Sequence, residues 1–253
     1  MITFSHVSAG YAGNEILRDI SLSRPRGKIT SLIGPNGCGK TTLLKTACGL
    51  LPPLSGKIEF GGKSIGDFRR KEFARLAAVL PQVREIPAIR VDRFVAHGRY
   101  PHLAFGRELT ARDRELVEWA MEETGTLPLR DKELSLLSGG ERQRAYLAMT
   151  LAQDAEVLFL DEPTTYLDVG QKYEMLELVK RINARGKTVV MVLHDLSLAF
   201  SYSDLVAVLG GGDLLAFGPA EEVFDSGVPA KAFGVASKKA TVDGKTEFFF
   251  PQK

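Results

Sequence analysis

An α/β fold built on a mainly parallel sheet is what this sequence predicts, and three observations carry the prediction. Val157-Leu158-Phe159-Leu160 and Val189-Val190-Met191-Val192-Leu193 are continuous apolar runs, the pattern of parallel strands covered on both faces. A helical segment over residues 171–184 separates them, so strand and helix alternate. A shorter run, Lys28-Ile29-Thr30-Ser31-Leu32-Ile33, leads straight into a glycine-rich loop and then into a helix-forming stretch that stops at Gly49.

The other elements follow along the chain. Ile2, Phe4 and His6 alternate with polar neighbours as one strand, and Gly10-Tyr11-Ala12-Gly13 reads as the turn after it. Residues 16–23 form a second strand, ended by Pro25-Arg26-Gly27, and residues 57–60 a short one between Pro52-Pro53 and Gly61-Gly62. From about 87 to 153 the chain is mostly helical and rich in arginine and glutamate. Thr110 with Asp113 three residues later gives one helix a capping-box start, with Leu116, Trp119 and Ala120 at helical spacing beyond it. In the tail, about 226–253, Asp243-Gly244 resembles a hairpin turn. With no repeat or low-complexity linker, residues 1–253 read as a single domain holding a helical subdomain at about 87–153.

Residue usage excludes several classes. The chain has 253 residues, 44% hydrophobic and 25% charged, unlike a disordered, collagenous or disulfide-scaffold chain. Lys+Arg total 33 and Asp+Glu 31, and the formal charge of +2 exerts no global pull toward nucleic acid or anionic lipid. No apolar run approaches the roughly 18 residues of a membrane-spanning helix. The first residues lack the basic-then-apolar order of a secretion signal. Cys38 and Cys48 have no C-x-x-C spacing, and His6, His97, His102 and His194 are scattered. A reducing, cytoplasmic compartment is therefore expected, and a zinc or disulfide framework is not.

Chemistry concentrates in a few segments. Gly34-x-x-x-x-Gly39-Lys40-Thr41 fits a phosphate-binding loop, whose glycines let backbone N–H groups point at phosphate oxygens at the start of a helix. Lys40 would neutralise the β- and γ-phosphates, and the Thr41 hydroxyl would ligate Mg²⁺. Asp161 and Glu162 end the first apolar run, at the strand end that faces the ligand crevice in such sheets. Asp161 suits Mg²⁺ and Glu162 suits an attacking water; an acidic turn capping the next helix is the structural alternative. His194 ends the second run, where a γ-phosphate contact and a structural role are both open. Leu137-Ser138-Gly139-Gly140-Glu141 opens a further helix, as a second anion site or as a plain serine cap. One nucleotide hardly needs two cradles from one chain, so the second suits a nucleotide on a partner subunit.

Taken together these segments resemble the ATPase subunits of ABC transporters. Residues 34–42 match the Walker A motif, residues 157–162 match Walker B with its catalytic glutamate, and residues 137–141 match the signature, with Glu141 where glutamine is commonest. Gln82 matches the Q-loop, Thr165-Tyr166-Leu167-Asp168 the D-loop, His194 the switch histidine, and Tyr11 the aromatic that stacks on adenine. The motifs run in the family's order over about residues 1–225. The resemblance implies a P-loop NTPase core with N-terminal antiparallel strands and an inserted helical subdomain. It implies ATP on Tyr11, Gly34, Pro35, Asn36, Gly37, Cys38, Gly39, Lys40, Thr41 and Thr42, and Mg²⁺ at Thr41, Gln82 and Asp161. Catalytic roles would fall to Glu162, His194, Gln82 and Asp168. Ser138, Gly139, Gly140 and Glu141 would cap ATP on the opposite member of a head-to-tail pair. Further implied partners are two copies of a membrane permease, docked on the helical insertion, and indirectly a substrate-binding protein, with no nucleic acid. The location implied is the cytoplasmic face of a bacterial or archaeal cell membrane.

Gly98-Arg99-Tyr100-Pro101-His102 resembles a stretch found in importers of iron–siderophore complexes, a class that also carries haem and vitamin B12. Residues 144–149 and 164–168 point the same way, while Tyr100 and His102 suit docking or structure rather than metal binding. The alternatives are the same machine carrying haem or vitamin B12, a soluble ABC-type ATPase acting in cluster assembly or on nucleic acid, and a phosphate-loop kinase. Soluble types usually carry two ATPase halves or long arms, and a kinase leaves the signature and Glu162 without a task. The tail carries no recognised chemistry; completing the fold and helping two ATPase subunits meet are both open.

Overall fold

The computed structural model describes residues 1–82, 86–103 and 108–252. The chain divides into two compact units, Met1–Asp67 with Thr188–Lys253, and Phe68–Lys187. In the first, β1 (Ile2–Tyr11) and β2 (Asn14–Arg24) are antiparallel, and β3 (Ile29–Ile33) leads through the glycine loop into α1 (Lys40–Ala47). Strands β4 (Ser55–Phe60) and β5 (Lys63–Ser64) complete an antiparallel sheet in the order β2-β1-β4-β5.

The expected alternation through His6 fails. Ile2 and Phe4 point inward, but the register slips between Phe4 and Val7, and Val7 and Ala9 take over the buried face. A bulge changes which face each following residue occupies. His6 (φ 52) and Asp19 (φ 48) sit at this irregularity on facing strands, exposed and paired at 2.7 Å from Nδ1 to Oδ1. The turn after β1 is also tighter than expected, because Gly10 and Tyr11 stay in the strand and only Ala12 and Gly13, both at positive φ, connect it to β2.

The second unit runs α2 (Arg70–Leu76), β6 (Ala77–Leu80), α3 (Val91–Ala96), a 3₁₀ turn over His97–His102, α4 (Ala111–Glu123), α5 (Gly139–Ala152), β7 (Val157–Asp161) and α6 (Val169–Ala184). Strands β6 and β7 are parallel, with Leu80 opposite Leu160. Residues 104–107, inside the stretch expected to be helical, lie outside the described residues. Thr110 and Asp113 make the expected capping box at α4.

Gly98 and Arg99 lock the 3₁₀ turn to its neighbours. A Cβ at Gly98 would fall 2.2 Å from the Met149 carbonyl oxygen, so only glycine lets the turn lie on α5. The buried Arg99 donates from Nε to Asp113 Oδ1 (2.8 Å) and from Nη1 to the Ala152 carbonyl (2.8 Å). His102 Nε2 meets the Gln153 carbonyl at 2.9 Å, while Tyr100 stays 59% exposed with its ring stacked on His97.

The chain then completes the first unit with β8 (Thr188–Val192), α7 (Leu196–Ser201), β9 (Leu205–Gly210), β10 (Asp213–Pro219), α8 (Ala220–Asp225), α9 (Val228–Phe233), β11 (Lys238–Val242) and β12 (Lys245–Phe249). Strand β3 lies between β8 and β9 and is parallel to both, and β10 pairs antiparallel with β9. All residues of β3 and β8 are buried, as continuous apolar strands require. Arg24, at the end of β2, ties the two sheets of this unit together through Thr30 Oγ1 (2.6 Å) and the carbonyls of Lys28 and Val189. Strands β11 and β12 pair across Asp243-Gly244, both at positive φ.

Candidate functional site

In the first unit, β3 delivers the chain into residues 34–39 under tight steric limits. A Cβ on Gly34 would sit 2.3 Å from the Leu209 carbonyl oxygen and 2.6 Å from Cys38 Sγ. Gly39, at φ 102, stands at the N-cap of α1 and leaves it no side-chain cap, and no acidic residue occupies the first turn. The helix start thus keeps its N–H groups and positive end for an anion. Lys40 is buried and its ammonium donates to the carbonyls of Gly34 (2.8 Å) and Pro35 (3.0 Å), which hold it across the loop. Burial pushes the Cys38 thiol pKa up, with the Lys40 ammonium pulling the other way. Asn36 and Gly37 are exposed, Pro35 and Thr41 are half-buried, and Thr42 is buried. Tyr11, 42% exposed at the end of β1, has the Lys45 ammonium 6.0 Å from its ring centre. His194 is exposed two residues beyond β8, and its neighbour Asp195 caps α7 by accepting from the Leu198 N–H at 3.0 Å.

In the second unit, β7 ends at buried Asp161, and buried Glu162 follows at φ 54. A left-handed non-glycine residue costs on the order of 1–3 kcal/mol and persists only where neighbours hold it. Thr165 does so, donating from Oγ1 to Glu162 Oε2 (3.0 Å) and from its N–H to the Glu162 carbonyl (3.3 Å). The cap of α6 is Asp168, whose carboxylate accepts from the Gln171 N–H at 2.8 Å, so the acidic pair at 161–162 is not that helix's cap. Ser138 caps α5, and the Glu141 carboxylate accepts from the Ser138 N–H and hydroxyl, both at 2.8 Å, which holds its pKa below the usual carboxylate range. Gly139 is exposed and Gly140 buried against Gln171. Gln82, Gly139, Arg142, Gln143, Glu162 and Tyr166 line one cavity of about 370 Å³, which brings residues of four motifs to the same space.

Sequence reasoning missed Gln143 and the hydroxyl of Thr165. Gln143 is buried and donates to the Pro163 carbonyl at 2.5 Å, tying α5 to the turn after Glu162. Its position one helical turn after Gly140, on the inward face, was the available signal.

A phosphate loop after a buried strand, together with a buried strand that ends in two carboxylates, defines a P-loop NTPase. The ABC transporter family profile matches residues 17–165, and the chain belongs to that family. It is 40% identical to the iron(3+)-hydroxamate import ATP-binding protein FhuC of Bacillus subtilis, over 95% of this chain and 90% of that one. Identity is 40% to the achromobactin transport ATP-binding protein CbrD of Dickeya dadantii (92% and 88% covered) and 38% to the ferric enterobactin transport ATP-binding protein FepC of Escherichia coli (90% and 85%). Among solved structures, cbiO1 of Clostridium perfringens, part of the ABC transporter complex cbiONQ, is similar with a TM-score of 0.79 and 29% identity over 91% of this chain and 92% of that one. A dimeric ATP-binding cassette with bound ADP and Pi shares the fold, with a TM-score of 0.76 at 23% identity over 87% of this chain and 99% of that one. The chain is therefore an ABC ATPase that binds and hydrolyses ATP. Among the described residues no helix is long and apolar enough to cross a membrane.

Proposed function

We propose that this chain powers an importer of ferric siderophores as a head-to-tail pair on the cytoplasmic face of the membrane, with two permease subunits and, indirectly, a substrate-binding protein. The observation that carries the cargo class is the run of siderophore-transport ATPases, each 38–40% identical over nine-tenths or more of this chain.

The chemistry follows from the residues. ATP phosphates take the N–H groups of the loop, and the Lys40 ammonium exchanges the Gly34 and Pro35 carbonyls for β- and γ-phosphate oxygens. Tyr11 stacks on adenine. Asp161, Thr41 and Gln82 offer one carboxylate, one hydroxyl and one amide oxygen, the hard donors that Mg²⁺ accepts beside phosphates and water. That ion would neutralise charge developing on the β- and γ-phosphate oxygens. Glu162, held by Thr165, takes the proton of the attacking water as the water oxygen bonds the γ-phosphorus and the bond to the bridging β–γ oxygen breaks, releasing ADP and phosphate. His194 hydrogen-bonds the γ-phosphate, and Ser138, Gly139, Gly140 and Glu141 cap the ATP held by the second copy. Asp168, by capping α6, fixes the loop that follows Glu162. A groove of about 660 Å³ lined by Ile89, Arg93, His97, Tyr100 and Leu109 receives a short permease helix.

The test is uptake of radiolabelled ferric siderophores, haem and cobalamin by cells carrying Glu162→Gln. That substitution keeps the binding groups and removes the base, so an ATP-bound dimer accumulates and ferric siderophore uptake alone stops. Loss of haem or cobalamin uptake instead would change the cargo. Unchanged uptake of all three, with the protein expressed and redundant importers removed, would overturn the transport role.

A further inference from the structure

The C-terminal hairpin packs on the short helix that follows His194. Helix α7 has six residues and starts directly after Asp195. So short a helix is not stable in water on its own hydrogen bonds, and its place is set by what it packs against. Phe200 is its anchor, 2% exposed, with ring-centre distances of 5.6 Å to Phe224, 5.6 Å to Phe248 and 5.4 Å to Phe250. Phe224 meets Phe248 at 4.9 Å and Phe250 at 5.4 Å, which closes the cluster. Two of the four rings thus come from β12 and the residue beyond it. Ser201 adds a polar tie, donating from Oγ to Glu247 at 3.4 Å.

The hairpin is itself fastened. The Ala236 N–H donates to the Pro251 carbonyl (2.9 Å) at its base, and Lys239 pairs with Asp225 at the end of α8 (2.7 Å). All five residues of β11 are exposed, whereas Phe248 of β12 is buried on the α7 side. At the other end of α7, the Asp195 cap makes the helix start rigid with the backbone next to His194.

We propose that the hairpin is a brace that sets where α7, and through it His194, stands, and that Phe248 is a positioning residue for ATP hydrolysis. The proposal rests on the γ-phosphate role given to His194. The phosphate loop is carried by β3 and α1, so loosening the brace leaves ATP binding in place and slows turnover.

Full-length variants in the assembled transporter test this by kcat, KM for ATP, and thermal unfolding. Phe248→Ala is expected to lower kcat by about tenfold or more, as small misplacements of catalytic groups do, with KM within about twofold. Phe248→Leu should restore most of the loss. In a His194→Ala background, Phe248→Ala should cause no further fall in single-turnover rate. An unchanged kcat in folded Phe248→Ala, or an equal fractional loss in both backgrounds, would overturn the brace. Should Phe248→Ala fail to fold, Phe250→Ala, at a half-buried ring, carries the same comparison. Full turnover by His194→Ala alone would instead refute the role of His194, a result distinct from failure of the brace.

Discussion

Asp113 is the residue whose loss the structure prices most clearly. Asp113 and Arg99 are each 5% exposed, their charged groups meet at 2.8 Å, and Thr110 donates both its N–H (2.9 Å) and its hydroxyl (2.7 Å) to the Asp113 carboxylate. Burial alone would raise the Asp113 pKa, but Thr110 and Arg99 overcome it and bring it from 3.8 down to about 2. At about 1.4 kcal/mol for each tenfold change in acidity, the preference for the charged form contributes about 2 to 3 kcal/mol to stability. Because the folded pKa lies below the unfolded one, this contribution is complete above about pH 4 and disappears as the pH falls toward 2. Asp113→Asn should therefore lower the unfolding free energy at pH 7 by about 2 to 3 kcal/mol, and Arg99→Met in the same chain should recover part of that loss by removing the stranded charge. Urea unfolding of both proteins at pH 7 and near pH 2.5 measures it. Equal stability at pH 7, or an undiminished gap at low pH, would refute the account of this pair.

Two further outcomes follow from close contacts. Gly98→Ala should destabilise by about 1–3 kcal/mol, since its Cβ meets the Met149 carbonyl at 2.2 Å; wild-type unfolding behaviour would contradict the fit. The raised pKa of buried Cys38 leaves little thiolate at neutral pH. Alkylation by a bulky maleimide should accordingly be slow, speed up with rising pH, abolish activity and be blocked by ATP; equal inhibition with and without ATP would point to Cys48 or to unfolding.

How much of this was legible in the sequence depends on how local each feature is. The buried strands at 157–161 and 188–192 announce themselves by unbroken apolar runs, and the Thr110–Asp113 cap by a three-residue spacing. The glycine loop is legible for the same reason, since its steric demands fall on consecutive residues. The turn of His6 out of the alternation is not legible, because a bulge is a property of two paired strands and one strand's pattern does not show the slip. Arg99 was legible as part of a motif but not as a buried cation, since its partners come from residues 113 and 152. Gln143 and the four-phenylalanine cluster are long-range in the same sense. Each joins segments that only the folded chain brings together.

The Glu141 carboxylate, hydrogen-bonded back to Ser138, finishes the start of α5 from within the chain. The signature surface is consequently ordered before a second copy meets it, and pairing does not have to bear the entropy of organising that loop. In the head-to-tail pair proposed above, the same carboxylate would set a fixed negative charge beside the other copy's triphosphate. In that proposed arrangement, repulsion of that kind would shorten the lifetime of the closed pair and favour its reopening. Each cycle of an importer depends on that separation as much as on closure.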